Sequence, residues 1–213
     1  MTPRDIALAA FVSVIWGLAF VAMRFGLEGF TAPQLTALRF LIASIPVLFV
    51  IRPAVPWHLL VLIGLSLFAG QFLLLFLAFR HGMPPGLASV TQQTHVFLTV
   101  LLATLLFGEQ PTARQGWGMT LAAAGLVLVG LTVGADLPAL AMALALSGAL
   151  SWAAGNLLLK HVRGVPMFPL IAWCSLVPPL PVLLLSALWG EASLPAAVAG
   201  ASWGYCQLVG LRL

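Results

Sequence analysis

The chain is short of charge. Of its 213 residues only 7% are Asp, Glu, Lys or Arg, where a soluble globular domain carries about 25%. It has two cysteines, Cys174 and Cys206, both in apolar stretches. No Cys-x-x-Cys or Cys/His spacing surrounds them, so neither a disulfide framework nor a zinc site is expected. Also missing are a P-loop, a nucleophile elbow, a zinc-protease helix and any pair of carboxylates inside an apolar segment. ATP hydrolysis and intramembrane catalysis therefore have no visible machinery. The expectation is no enzyme, no cofactor and no metal.

What the chain has is hydrocarbon. Apolar residues make up 62% and the mean hydropathy is +1.13, which places it among all-α, multi-pass membrane proteins. The net charge of +4 comes from basic residues standing singly at segment ends. That distribution suits an orientation signal better than a nucleic-acid patch, and no nucleic acid is expected as a partner.

Seven to eight apolar segments follow one another, each near the roughly 20 residues that cross a bilayer. They run Ile6–Met23, Leu35–Ile51, Trp57–Phe79, Pro85–Phe107, Gly116–Val133, Leu137–Leu159 and Phe168–Trp189, with an eighth beginning near Leu194. Short loops hold the charges. With the N-terminus cytoplasmic, Arg4, Arg52, Arg114, Lys160 and Arg163 fall inside, while Arg24 and Arg80 fall outside with Glu28, Asp136 and Glu191. Five cations against two favour that orientation.

The fourth segment differs from the rest. Six of the seven residues from Ser89 to His95 are polar. At helical spacing Gln92, His95 and Thr99 share one face, with Ser89 and Gln93 on a neighbouring one. Facing lipid, these groups would be unsatisfied, so the segment belongs inside a bundle, lining a solute path. His95, the only histidine well inside a span, is read as a solute contact or proton relay, or else as a structural hydrogen bond to Gln92 or another helix. Gln71, Gln93 and Asn156 could bind the polar ends of a solute or bond a neighbouring helix. Trp16, Trp152 and Trp173 are cavity walls or interfacial anchors. Arg39, one turn into the second segment, reads as a snorkelling or structurally paired cation ahead of a carboxylate ligand. Glu109 is expected to pair with Arg114 and fix the turn between the fourth and fifth helices. Pro178, Pro179 and Pro181 interrupt the seventh, as a site-lining break, a hinge or a kink.

Small residues mark close helix contacts. Gly116, Ala123 and Gly130 recur every seven residues, and Ala145, Ala149 and Ala153 every four, with Ser147, Ser151 and Gly155 beside them. The sequence also repeats. Trp16–Arg24 (WGLAFVAMR) resembles Trp152–Lys160 (WAAGNLLLK), each opening a group of helices and ending in a cation after eight residues. Five spans separate the two starts, so the second copy enters the membrane from the opposite side. Such inverted repeats carry their sites near the midplane between the copies.

These residues resemble the EamA family of the drug/metabolite transporter superfamily, within it the O-acetylserine/cysteine exporters of bacterial inner membranes. The likeness lies in Trp16–Val21, Leu38-Arg39-Phe40, Ala69–Phe72, Gly82–Ser89, Phe107–Gln110 and Ser151–Asn156, and it covers about residues 4 to 190. The motif around Glu109 is specific to the superfamily, and Gly-Met-Pro followed by Leu-Ala-Ser to the exporter subgroup. The resemblance implies ten helices in two inverted five-helix repeats, both termini cytoplasmic, and a central cavity. Here residues 1–134 form the first repeat and 135–213 a truncated second one, which stops within its third helix. A fragment, a frameshift or an early stop would each explain that. Gln92 and His95 depart from the subgroup pattern of an apolar residue and a glutamine.

The resulting expectation is a secondary-active exporter of small metabolites by alternating access, with solute contacts at Gln71, Gln92, Gln93, His95, Trp152 and Asn156 among helices one, three, four and six. The alternative is a non-transporting relic or a partner subunit. Expected partners are the bilayer, a small-molecule substrate and, as an option, a second copy of the chain.

Overall fold

The computed structural model describes residues 2–132, 138–162 and 164–208. Asp136 and Arg163, two of the charges used for orientation, lie outside them. Every element is helical, with no strand among the described residues. Helix α1 spans Pro3–Gly29, and α2 spans Ala32–Ala43 with a 3-10 turn at Ile45–Leu48. The third segment is α3, Trp57–Ile63, then a π-helical stretch at Gly64–Gly70, then α4, Gln71–Arg80. The fourth is α5, Pro85–Gln92, and α6, Thr94–Phe107. Next come α7, Ala113–Thr132, and α8, Ala139–Leu159. The last two segments are α9, Met167–Cys174, with α10, Pro179–Leu188, and finally α11, Leu194–Leu208. Among the described residues five stretches are long and apolar enough to cross a membrane, Arg4–Gly29, Trp57–Arg80, Pro85–Phe107, Ala139–Val162 and Met167–Leu188, and Ala32–Leu48 is a shorter apolar helix.

The bundle forms around Trp57–Arg80, its most buried span, and α8 packs along it. The reason is the row of small residues on α8. Ala141, Ala145, Ala149 and Ala153 are all fully buried, so backbones close in without any hydrophobic drive between helices. The row expected on α7 does not behave this way. Gly116 has open space around it, Ala123 is exposed, and position 130 lies outside the residues whose surroundings are described. Helix α1 is the least buried span, and its exposed Phe11, Val14 and Leu18 suit contact with lipid tails.

Four segments depart from regular α-helix, and each departure has a local cause. Pro46 has no N–H, so α2 gives way to the 3-10 turn. The Pro178–Pro179–Pro181 run separates α9 from α10 as expected, and Ser175 Oγ donates to the Ile171 carbonyl at 2.8 Å there. The π stretch needs close approach. A Cβ on Gly64 would fall 2.7 Å from the Cys174 carbonyl oxygen, and Ser151 Oγ from α8 donates to the Ser66 carbonyl at 2.8 Å. The fourth break, at Gln93, is described with the site.

The ends of the segments fall into two sets. At one end Thr31 caps α2, and its hydroxyl donates to Glu191 at 2.6 Å, as does Ser186. Gln34 Nε2 donates to the Ala192 carbonyl at 2.7 Å beside them. At the other end Glu109 pairs with Lys160 of the turn after α8. The expected Glu109–Arg114 pair is thus corrected: the carboxylate reaches across the bundle instead of along its own loop, tying the α6–α7 connection to the end of α8. Lys160 also lies 5.4 Å over the Phe107 ring.

The Gly64 contact gives a test. Gly64→Ala should lower the stability of the purified chain in detergent by about 1–3 kcal/mol, the cost of overpacking. Gly125→Ala, on open space in α7, should be neutral or slightly stabilising. Equal melting temperatures for Gly64→Ala and the unchanged chain would contradict the packing.

Candidate functional site

The site grows from the break at Gln93. There the amide of Gln93 bonds the carbonyl of Val90, and the amide of Val96 bonds that of Gln93, at 3.0 and 3.1 Å. These are three-residue steps in place of four. Val96 N–H is therefore spent, and the Gln92 carbonyl loses the partner a regular helix would give it. His95 replaces it, with Nδ1 lying 2.6 Å from Gln92 O. A carbonyl only accepts, so Nδ1 carries a proton. Thr94 Oγ1 donates to Thr91 O at 2.7 Å and Thr99 Oγ1 to His95 O at 2.6 Å. Thr94 and His95 thus satisfy carbonyls at the break, which is how non-helical backbone survives at membrane depth.

Two glutamines bridge the helices. Gln92 Nε2 donates to the Ala145 carbonyl of α8 at 3.2 Å, and Gln71 Nε2 donates to Gln92 Oε1 at 3.4 Å. The chain of bonds fixes both amides. Ala145 O accepts only, so Gln92 presents its NH2 there and its oxygen to Gln71. Gln71 answers with its NH2, and its own Oε1 is left buried with no donor. An unmet buried acceptor costs about 1–3 kcal/mol.

These side chains enclose a chamber of about 80 Å³. Gln71, Gln92, Gln93, His95 and Trp152 all line it, together with Trp16 and Arg39. Asn156, the sixth expected contact, does not; its Nδ2 donates to Thr99 Oγ1 at 3.3 Å one turn further along. Trp16 of α1 and Trp152 of α8 bound the chamber together, and His95 meets Trp152 edge-on at 6.0 Å between centroids. At 1.5 Å per residue the glutamines and His95 lie about 10–15 Å from the ends of their spans, near the middle of a bilayer core. Trp173 stands elsewhere, against Trp57 at 6.0 Å.

A larger cleft of about 980 Å³ lies between α1, the α5–α6 segment and α7. Trp16, Phe20, Ser89 and Gln93 line both spaces, so the apolar cleft adjoins the polar chamber along one wall. Among the described residues no three of His, Cys, Asp or Glu gather to hold a metal ion.

Helix α2 starts at Ala32 instead of Leu35, so Arg39 lies two turns in, about 10 Å from the helix end. Its guanidinium sits 4.3 Å over the Phe72 ring. The missed signal was the Thr31-x-x-Gln34 capping box with Pro33 in the first turn, which sets the start of α2.

The EamA-like transporter family matches residues 4–131. A "Probable amino-acid metabolite efflux pump" of Salmonella typhimurium is 39% identical over 195 residues, and the Escherichia coli protein of that name is 37% identical over the same length. The aligned stretch takes in 88% of this chain and spans 65% of each relative. No solved structure matches the chain.

The glutamine bridge makes a prediction. Gln92→Leu should cost about 1–3 kcal/mol by leaving the buried Gln71 amide without a partner. In the Gln71→Leu, Gln92→Leu double variant the losses should fall short of their sum by about 1 kcal/mol, read from melting in detergent. Additive losses would contradict the bridge.

Proposed function

The chain belongs to the EamA-like transporter family, and on that premise we propose that it carries the solute path of a secondary-active exporter of small amino-acid-like metabolites. Cysteine-pathway compounds such as O-acetylserine and cysteine are the substrates we favour, moved by alternating access across a bacterial inner membrane with the N-terminus cytoplasmic. The observation that carries this reading is the chamber. In a bundle this apolar, polar side chains are expensive, yet Gln71, Gln92, Gln93 and His95 gather round one space at mid-depth. The names of the two relatives support small metabolites as the class of solute.

The proposed mechanism uses the breaks. Trp16 and Trp152 occupy matching places in the repeat read from the sequence, and both bound the chamber. This supports a site between two inverted halves, residues 1–134 and 135–213. Discontinuous helices at such a site offer backbone and side-chain groups to the solute. The interrupted segments at Gln93 and at Ser175–Pro178 are the natural hinges. The Glu191–Thr31 cluster at one end and the Glu109–Lys160 pair at the other would break and re-form as the two mouths open in turn.

The test is efflux of cysteine and O-acetylserine from cells expressing the chain. His95→Ala should cut efflux roughly tenfold, the effect of about 1.4 kcal/mol from one lost hydrogen bond. His58→Ala, on the exposed start of α3, should leave efflux unchanged. Equal effects of the two substitutions would contradict the assignment.

A further inference from the structure

Two unmet demands belong to residues that line the chamber. The first is a cation without a counter-ion. Among the described residues the one ion pair is Glu109–Lys160, at an end of the bundle, and Arg39 has only the Phe72 ring at 4.3 Å. An aromatic face attracts a guanidinium but leaves its in-plane N–H fork free for a carboxylate. The second is an acceptor without a donor. Gln71 is 8% exposed, its Oε1 is unpaired, and the bonds running from Ala145 through Gln92 fix that oxygen as the free end. Residues 71 and 72 are consecutive, so the acceptor and the ring beneath the guanidinium share one turn of α4.

We infer that Arg39 and Gln71 are a recognition pair for a zwitterion. The Arg39 guanidinium takes the α-carboxylate as a charge-assisted, two-pronged hydrogen bond. Gln71 Oε1, which lies just under the chamber wall, accepts from the α-ammonium as the solute enters. The two requirements select together. A simple amine would meet Arg39 as a like charge, because no carboxylate lines the chamber. A simple acid would leave Gln71 Oε1 unpaired, and a buried unpaired acceptor discriminates strongly. The Trp16 and Trp152 walls bound the remainder of the solute, and a volume of about 80 Å³ suits a short side chain. This inference rests on the chamber being the solute site proposed above.

Calorimetry on the full chain in lipid nanodiscs tests it, with L-cysteine, L-cysteine methyl ester and N-acetyl-L-cysteine as probes. The ester lacks the carboxylate charge and the N-acetyl compound lacks the ammonium. The unchanged chain should bind cysteine about tenfold more tightly than either. Arg39→Gln should bring cysteine down to the ester's affinity and leave the ester unmoved. Gln71→Leu should bring cysteine down to the N-acetyl compound's affinity and leave that compound unmoved. Arg39→Lys keeps the charge without the fork and should restore part of the preference over the ester, which a merely structural role for Arg39 would not produce. Melting curves identify any variant that has lost its fold. Equal affinity for the three probes, no binding of any, or a uniform loss for all three in a folded variant would overturn the inference. The outcomes separate from those for export. The predicted binding pattern without efflux would count against the exporter and leave the recognition pair standing. Efflux without discrimination would do the reverse.

Discussion

Hydrocarbon supplies no hydrogen bonds, and the rest of this structure depends on that constraint. Every backbone polar group within the membrane must find its partner inside the protein, and a side-chain polar group without one is costly. The chain from the Ala145 carbonyl through Gln92 to Gln71 is the clearest consequence. It links α8 to the α5–α6 segment and to α4 by direction-specific bonds, where apolar packing alone would leave their relative rotation loosely set. The same constraint explains His95. Its ring stands in for the backbone amide that the break at Gln93 withdraws. A side chain that looks like surplus polarity is part of the covering of a broken helix, and the break gives the chamber its shape.

Small residues make the bridge possible. The buried alanine row on α8 brings its backbone close enough for a glutamine amide to reach Ala145 O. Gly148 sits where an added Cβ would lie 3.3 Å from Gln92 Nε2, so the amide has a recess to occupy. On the other side, Ser151 reaches the π stretch and satisfies Ser66. One helix thus serves two irregular neighbours with short side chains. The chamber lies where those irregularities meet, and the cleft beside α7 adjoins it.

Much of this was legible in the sequence, because hydropathy and proline act locally. The segments and the interruption just ahead of Pro179 follow from residues whose effect is local, whereas of the two small-residue rows only the one on α8 is buried. The polar run at Ser89–His95 set the fourth segment apart, and Thr91 and Gln92 are buried there, but little else of that span is buried and Gln93 is exposed. The break at Gln93 was not legible, since no proline or glycine announces it; it exists only because side chains from Thr94 and His95 can take over the carbonyls. The partner of Glu109 differs from the expected one for a related reason. Loop neighbours suggest Arg114, whereas packing of α6 on α8 brings Lys160 to it. Asn156 shares a helix face with Trp152 but falls one turn beyond the chamber, bonded to Thr99. Arg39, expected one turn into its segment as a snorkelling or structurally paired cation, lies two turns in because the Thr31–Gln34 capping box starts α2 three residues earlier than hydropathy suggests.

The central claim is that the space between Trp16 and Trp152 is reached by solute from water. The most direct measurement is thiol labelling of a Ser89→Cys variant with a membrane-impermeant reagent, against the unsubstituted chain as background, with and without O-acetylserine. Ser89 lines both the cleft and the chamber. The account predicts labelling above background that the solute slows. No labelling beyond background, or labelling that the solute leaves untouched, would contradict it.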